Sequence, residues 1–133
     1  MTGVLAVVAT ILAGPIGVAI VLLGANGLRA PQAAVGFGIP GTPADDPAFQ
    51  SWLAVKAVRD LACGVAVLVL VLAVLLSAVP SHLLGWYLVI TAGIPVGDAL
   101  IVLRSGGPRA VAYGVHAATA AVLVLVGVVL LVA

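Results

Sequence analysis

Residues 52–79 read WLAVKAVRDLACGVAVLVLVLAVLLSAV, and this stretch decides the fold class. After Asp60 it runs for 19 residues, 61–79, without a charged side chain. A helix needs roughly 20 mostly apolar residues to cross ~30 Å of hydrocarbon, so a stretch of this kind reads as a membrane span. Three more qualify, at about 4–28, 83–103 and 109–133. The expected fold is therefore all-α integral membrane: a four-helix transmembrane bundle forming a single domain over 1–133. A long loop rich in Gly and Pro, 29–51, separates helices one and two, and no stretch is left for a soluble domain.

The rest of the chain agrees. Of its 133 residues, 65% are hydrophobic and 7% charged, with a mean hydropathy of +1.42, whereas soluble chains carry about a quarter charged residues. Five Lys or Arg and four Asp or Glu are too few to coat a globule. A formal charge of +1 offers no basic patch to neutralise phosphates, which excludes nucleic acid as a partner. Disorder is excluded by the high hydrophobicity. Cys63 is the single cysteine, so there is neither an intrachain disulfide nor a CxxC pair. Residues 1–3 place no basic side chain ahead of the apolar run, and a secretory signal needs a positive region and a shorter apolar segment, so the first stretch is expected to be a retained span.

The breaks between spans are chemically sensible. Val79-Pro80-Ser81-His82 ends one helix with proline and offers Ser81 as an N-cap for the next. Ser105-Gly106-Gly107-Pro108 is a second tight turn, so spans two, three and four are expected to run as antiparallel neighbours. The 29–51 loop keeps apolar residues at Val35, Phe37 and Ile39 and is expected to fold back on the bundle. Small residues that let helices approach occur as Gly93 and Gly97 in span three, Ala110, Gly114 and Ala118 in span four, and Ala6, Thr10 and Gly14 in span one. Orientation follows from positive charge in the short loops. Arg29, Arg104 and Arg109 lie on one face, with Lys56 and Arg59 close by. Loops 29–51 and 104–108 are therefore expected to be cytoplasmic, and both termini to lie outside a multi-pass cell-membrane protein.

Polar side chains at membrane depth are costly and tend to face the bundle interior. At 1.5 Å per residue, Asp98 lies about 7 Å inside the cytoplasmic end of span three and His116 about 10 Å inside that of span four. Lys56, Arg59, Asp60 and Cys63 stand at i, i+3, i+4 and i+7, with Lys56 and Asp60 able to pair. Thr91, Pro95 and Asp98 share a face, and Pro95 cannot donate to the Thr91 carbonyl, so a kink is expected beside the carboxylate. Asn26 closes span one on the same side, and Tyr113 precedes His116 by three. Together these residues predict a pocket open to the cytoplasmic headgroups. Asp60, Asp98 and His116 would form its floor, Lys56, Arg59, Arg104 and Arg109 its rim, and the Gly- and Pro-rich loop its lid.

Bland alternatives account for several of these residues. Lys56 and Arg59 also fit a snorkelling interfacial turn, Cys63 a small apolar residue, and Trp52, Trp86 and Tyr87 an interface belt. Structural pairs of Asp98 with Arg59, or Asp60 with His116, would equally satisfy the charges. Asp98 itself cannot be trimmed from its span, because residues 83–97 are too short to cross. No metal site is expected: His82 and His116 lie at opposite faces, which leaves only Asp60, Asp98 and His116. No cofactor is implied, since the Gly cluster at 35–41 matches no phosphate-binding loop and GxSxG does not occur.

With Gly36-Phe37-Gly38-Ile39-Pro40 after the first span, Lys56-Ala57-Val58-Arg59-Asp60-Leu61 entering the second, Asp98 late in the third and His116 in the fourth, the chain resembles a known family. That family comprises small four-span membrane proteins filed as a domain of unknown function, family 4267, DoxX-like in layout. The resemblance covers essentially the whole chain. It implies the fold and span count, and marks Lys56, Arg59, Asp60, Asp98 and His116 as the family's polar positions, without a role.

Three function classes follow. The first binds a lipophilic small molecule with a polar or anionic head, such as a lipid, quinone or terpenoid, with Lys56, Arg59, Arg104, Tyr113, Asn26 and Phe37 as ligand contacts. The second is an isomerase or cyclase using Asp98 or Asp60 as general acid and His116 as base. The third is an accessory subunit of a homo-oligomer or larger membrane complex. Binding and accessory roles rank above catalysis, which needs a cavity that gives substrate access to an acid. A transporter ranks lower, because four spans without an inverted repeat give no alternating halves.

Overall fold

The computed structural model describes residues 2–133; Met1, part of the amino-terminal reading, lies outside the described residues. Every regular element among the described residues is a helix, and none is a strand. The four long helices are α1 (Thr2–Arg29), α2 (Pro47–Leu75), α3 (Ser81–Arg104) and α4 (Arg109–Val132). Each is long and apolar enough to cross a membrane. The protein is thus an all-α bundle with four membrane-spanning helices. Side chains such as Leu22 and Ile90, 62% and 72% exposed, turn outward, where hydrocarbon rather than water is the fitting solvent.

The ends of α2 differ from the expected 52–79, and both shifts have local causes. Asp46 accepts a 2.7 Å hydrogen bond from the Phe49 N–H and Pro47 occupies the first helical position, so the helix starts five residues earlier. At the other end Ser77 N–H donates to Val74 O and Ala78 N–H to Ala73 O, with Ser77 at φ 56°. That is a Schellman closure with serine in the left-handed position. Ser81 is not the N-cap of α3: Pro80 holds that place in extended conformation, and no side chain caps the helix.

α3 is interrupted at Ala92, between the segments Ser81–Thr91 and Gly93–Arg104. Pro95 has no N–H for the Thr91 carbonyl, and Thr91 Oγ1 donates back to Tyr87 O at 2.8 Å. α4 starts with one short turn, Arg109–Val111, and widens into a π-helical turn over Ala112–Ala117. Single π turns of this kind often mark functional sites.

α1 lies chiefly against α2 and α3 against α4, and α1 also meets α4. α2 and α3, although joined by a tight turn, touch less. The closest crossings use glycines other than those singled out by spacing. A methyl group on Gly64 would stand 2.7 Å from Val21 N and 2.9 Å from Gly17 O, and Gly85 and Gly127 oppose each other in the same way between α3 and α4. Around Gly14, Gly93, Gly97 and Gly114 the space is open within the chain. The packed core, from Ala13, Val67, Leu84, Leu88, Leu123 and Leu130, fills the half of the bundle that holds the termini and the 76–80 turn. The other half is less closed.

Candidate functional site

The open half contains a cavity of about 760 Å³, within the range of small-molecule sites. Every long helix contributes to its wall, and the 29–51 segment covers it with Phe37, Ile39 and Pro40. Val67 and Leu123 belong both to the cavity wall and to the packed core, so the cavity ends where the core begins.

Phe37 organises the site. Residues 31–37 wind as a 3-10 helix, started by Pro31 and ended by Gly38 at φ 103°, a left-handed conformation that suits glycine. This delivers the Phe37 carbonyl to His116, whose Nε2 donates to it at 2.9 Å. The two rings meet at 4.5 Å between centroids and 50° between planes. Lys56 Nζ sits 5.6 Å from the centre of the Phe37 ring, within cation–π range. The loop is tied in this way to both α2 and α4.

Two pairs of ionisable groups line the cavity. Lys56 Nζ and Asp60 Oδ2 are 2.6 Å apart, one helical turn from each other on α2. On the facing helices, Asp98 Oδ2 lies 4.0 Å from His116 Nδ1. The π turn carries His116, which is buried, while Asp98 and Asp60 are half-buried. The ionisable group within 4.0 Å of Asp98 is thus His116 rather than Arg59, and the pairing partner of Asp60 is Lys56 rather than His116.

Of the residues expected from sequence, Asn26, Phe37, Lys56, Asp60, Asp98 and His116 line one cavity. Arg59, Arg104 and Arg109 are exposed and do not, so Lys56 is the only member of the expected basic rim on the cavity wall. Tyr113 is also outside the lining and points outward, 59% exposed. Tyr87, expected in an interface belt, instead faces inward. Its hydroxyl donates to Cys63 O at 3.3 Å, and it lines the cavity beside Thr91. Tyr87, Thr91 and Asp98 share one helix face at i, i+4 and i+11, a signal that a face-by-face reading of span three carries. Thr119 and Leu123, one and two turns beyond His116, extend the wall on α4. Among the described residues no group of three His, Cys, Asp or Glu is placed to hold a metal ion.

Residues 17–130 match the family described as Domain of unknown function (DUF4267). The chain belongs to that family. Neither a curated protein nor a solved structure matches it, so no DoxX-like relative is supplied. The description of the DUF4267 family names no activity, and any functional reading rests on the cavity and its side chains.

Proposed function

We propose that this DUF4267 protein binds a lipophilic small molecule in the cavity between its four helices. One observation carries the reading: an apolar cavity of about 760 Å³ ends on a small set of polar side chains, with Lys56–Asp60 on one wall and Asp98–His116 on the other. Such a cavity suits a molecule with one polar end and an apolar body, whose transfer from water contributes about 25 cal/mol per Å² of apolar surface buried. Positive charge at the cavity end of the bundle, from Arg29, Arg104 and Arg109, supports a cytoplasmic placement of that end, with both termini outside. Ligand entry would then be from the cytoplasmic leaflet.

The test is native mass spectrometry of protein released from mild detergent. Wild-type protein is expected to carry a lipophilic adduct of defined mass. Thr91→Phe or Thr119→Phe, which push a ring into the cavity from α3 or α4, are expected to lose it. A protein that carries no adduct and binds none after delipidation refutes the reading and favours an accessory role filled by helix packing alone.

The Asp98–His116 pair supports a second reading, an isomerase or cyclase. A carboxyl and an imidazole 4.0 Å apart on the wall of an apolar cavity can deliver and remove protons on a substrate without a cofactor. That reading requires conversion of the bound molecule to a product of equal mass, lost in Asp98→Asn with binding retained.

A further inference from the structure

The cavity wall has already committed most of its hydrogen-bond donors. Thr91 Oγ1 donates to Tyr87 O at 2.8 Å, Thr119 Oγ1 to Val115 O at 2.7 Å, and the Tyr87 hydroxyl to Cys63 O at 3.3 Å. His116 Nε2 faces the Phe37 carbonyl at 2.9 Å. A carbonyl oxygen only accepts, so Nε2 carries the hydrogen, and in the neutral imidazole Nδ1 is a bare acceptor. That acceptor looks at Asp98 Oδ2 across 4.0 Å, too far for a hydrogen bond. With the imidazole neutral and Asp98 ionised, two acceptors stand side by side on the wall with no donor between them.

Charge points the same way. The lining holds one cation, Lys56, and two carboxylates, Asp60 and Asp98. Lys56 is neutralised by Asp60 at 2.6 Å, and its side chain is 45% exposed. With Arg59, Arg104 and Arg109 outside the lining, no unbalanced cation on the wall is available to a phosphate or a carboxylate. An anionic head would instead bring a second negative charge up to Asp98 in a medium of low dielectric.

The geometry points to an uncharged lipophilic alcohol as the ligand class, its hydroxyl donating to Asp98 beside His116 Nδ1 and its chain lying along the apolar wall toward Val67 and Leu123. This rests on the reading that the cavity takes a lipophile, and it narrows the polar or anionic head expected from sequence to a neutral hydrogen-bond donor. A hydroxyl gains a charge-assisted hydrogen bond there without adding charge.

The experiment compares dodecanol and laurate, which share a tail length, titrated into delipidated protein in phosphatidylcholine nanodiscs with empty nanodiscs as the baseline. A pH of about 9 keeps laurate ionised even though insertion in the bilayer raises its carboxyl pKa above the aqueous range. Dodecanol is expected to bind at least about tenfold more tightly, the scale of one charge-assisted hydrogen bond, and Asp98→Asn is expected to remove most of that preference. Laurate binding as tightly as dodecanol overturns the alcohol assignment and leaves the lipophile reading standing. Failure of both probes overturns the lipophile reading as well. A preference unchanged in Asp98→Asn overturns the role given to Asp98. Should Asp98→Asn fail to fold, the wild-type comparison still decides the ligand class.

Discussion

Gly64 shows how much one hydrogen in place of a side chain controls in this bundle. Its α-carbon lies so close to α1 that a β-carbon would meet backbone atoms of Val21 and Gly17, and backbone cannot yield as a flexible side chain can. Gly64→Val is expected to lower stability in detergent by about 1–3 kcal/mol, the usual range for overpacking. Gly93→Val, at a position with open space around it, is expected to stay within about 0.5 kcal/mol. Thermal unfolding of the two variants side by side checks this, and equal destabilisation would refute the assignment of the close crossing to Gly64. Phe37 is a second residue with an outsized part, since its carbonyl and ring together hold His116 and receive Lys56. Its sequence context marks it as an apolar loop residue and a ligand contact, but not as the partner of His116.

At the scale of elements, the ends of α2 are the most informative. Ser77 occupies a left-handed conformation at φ 56°, where a β-carbon is unfavourable and glycine is the usual occupant. Ser77→Gly is therefore expected to stabilise the protein, by about 0.5–1 kcal/mol from relief of the left-handed penalty. Asp46→Ala removes the acceptor for the Phe49 N–H and is expected to cost about 0.5–2 kcal/mol. Opposite shifts in midpoint temperature for the two variants would be observed by circular dichroism; a destabilised Ser77→Gly would rule out the strain. The π turn of α4 belongs to the same scale. It sits under the 29–51 segment and carries His116 to both Phe37 and Asp98.

Over the whole molecule, the bundle is closed at one end and hollow at the other. Alanine, glycine and branched side chains interlock in the half containing the termini, while the half containing the charged residues keeps about 760 Å³ of space under a loop. The charged end is proposed to face the cytoplasm. Single cysteines in a Cys63→Ala background test this with a membrane-impermeant thiol label. Ser81→Cys is expected to react in intact cells, and Ser105→Cys only after permeabilisation. Reaction of Ser105→Cys in intact cells would invert the orientation.

Span number and fold class follow from the sequence alone, because four apolar stretches of bilayer length leave a helix as the way to satisfy every backbone N–H and C=O. The placement of Asp98 and His116 along their helices, near the end that holds the Arg104–Arg109 turn, is also legible, since helical rise converts residue number into distance. Which polar groups meet is not. Rotation of each helix about its axis depends on where glycines such as Gly64 allow contact, on the interruption at Ala92, and on the π turn that re-aims His116. In an Ala- and Gly-rich chain many small-residue ridges look alike, and only close packing between particular helices selects the ones in use. Tertiary structure therefore decided that Asp98 faces His116 rather than Arg59, that the three arginines Arg59, Arg104 and Arg109 stay off the cavity wall, and that Tyr87 turns inward.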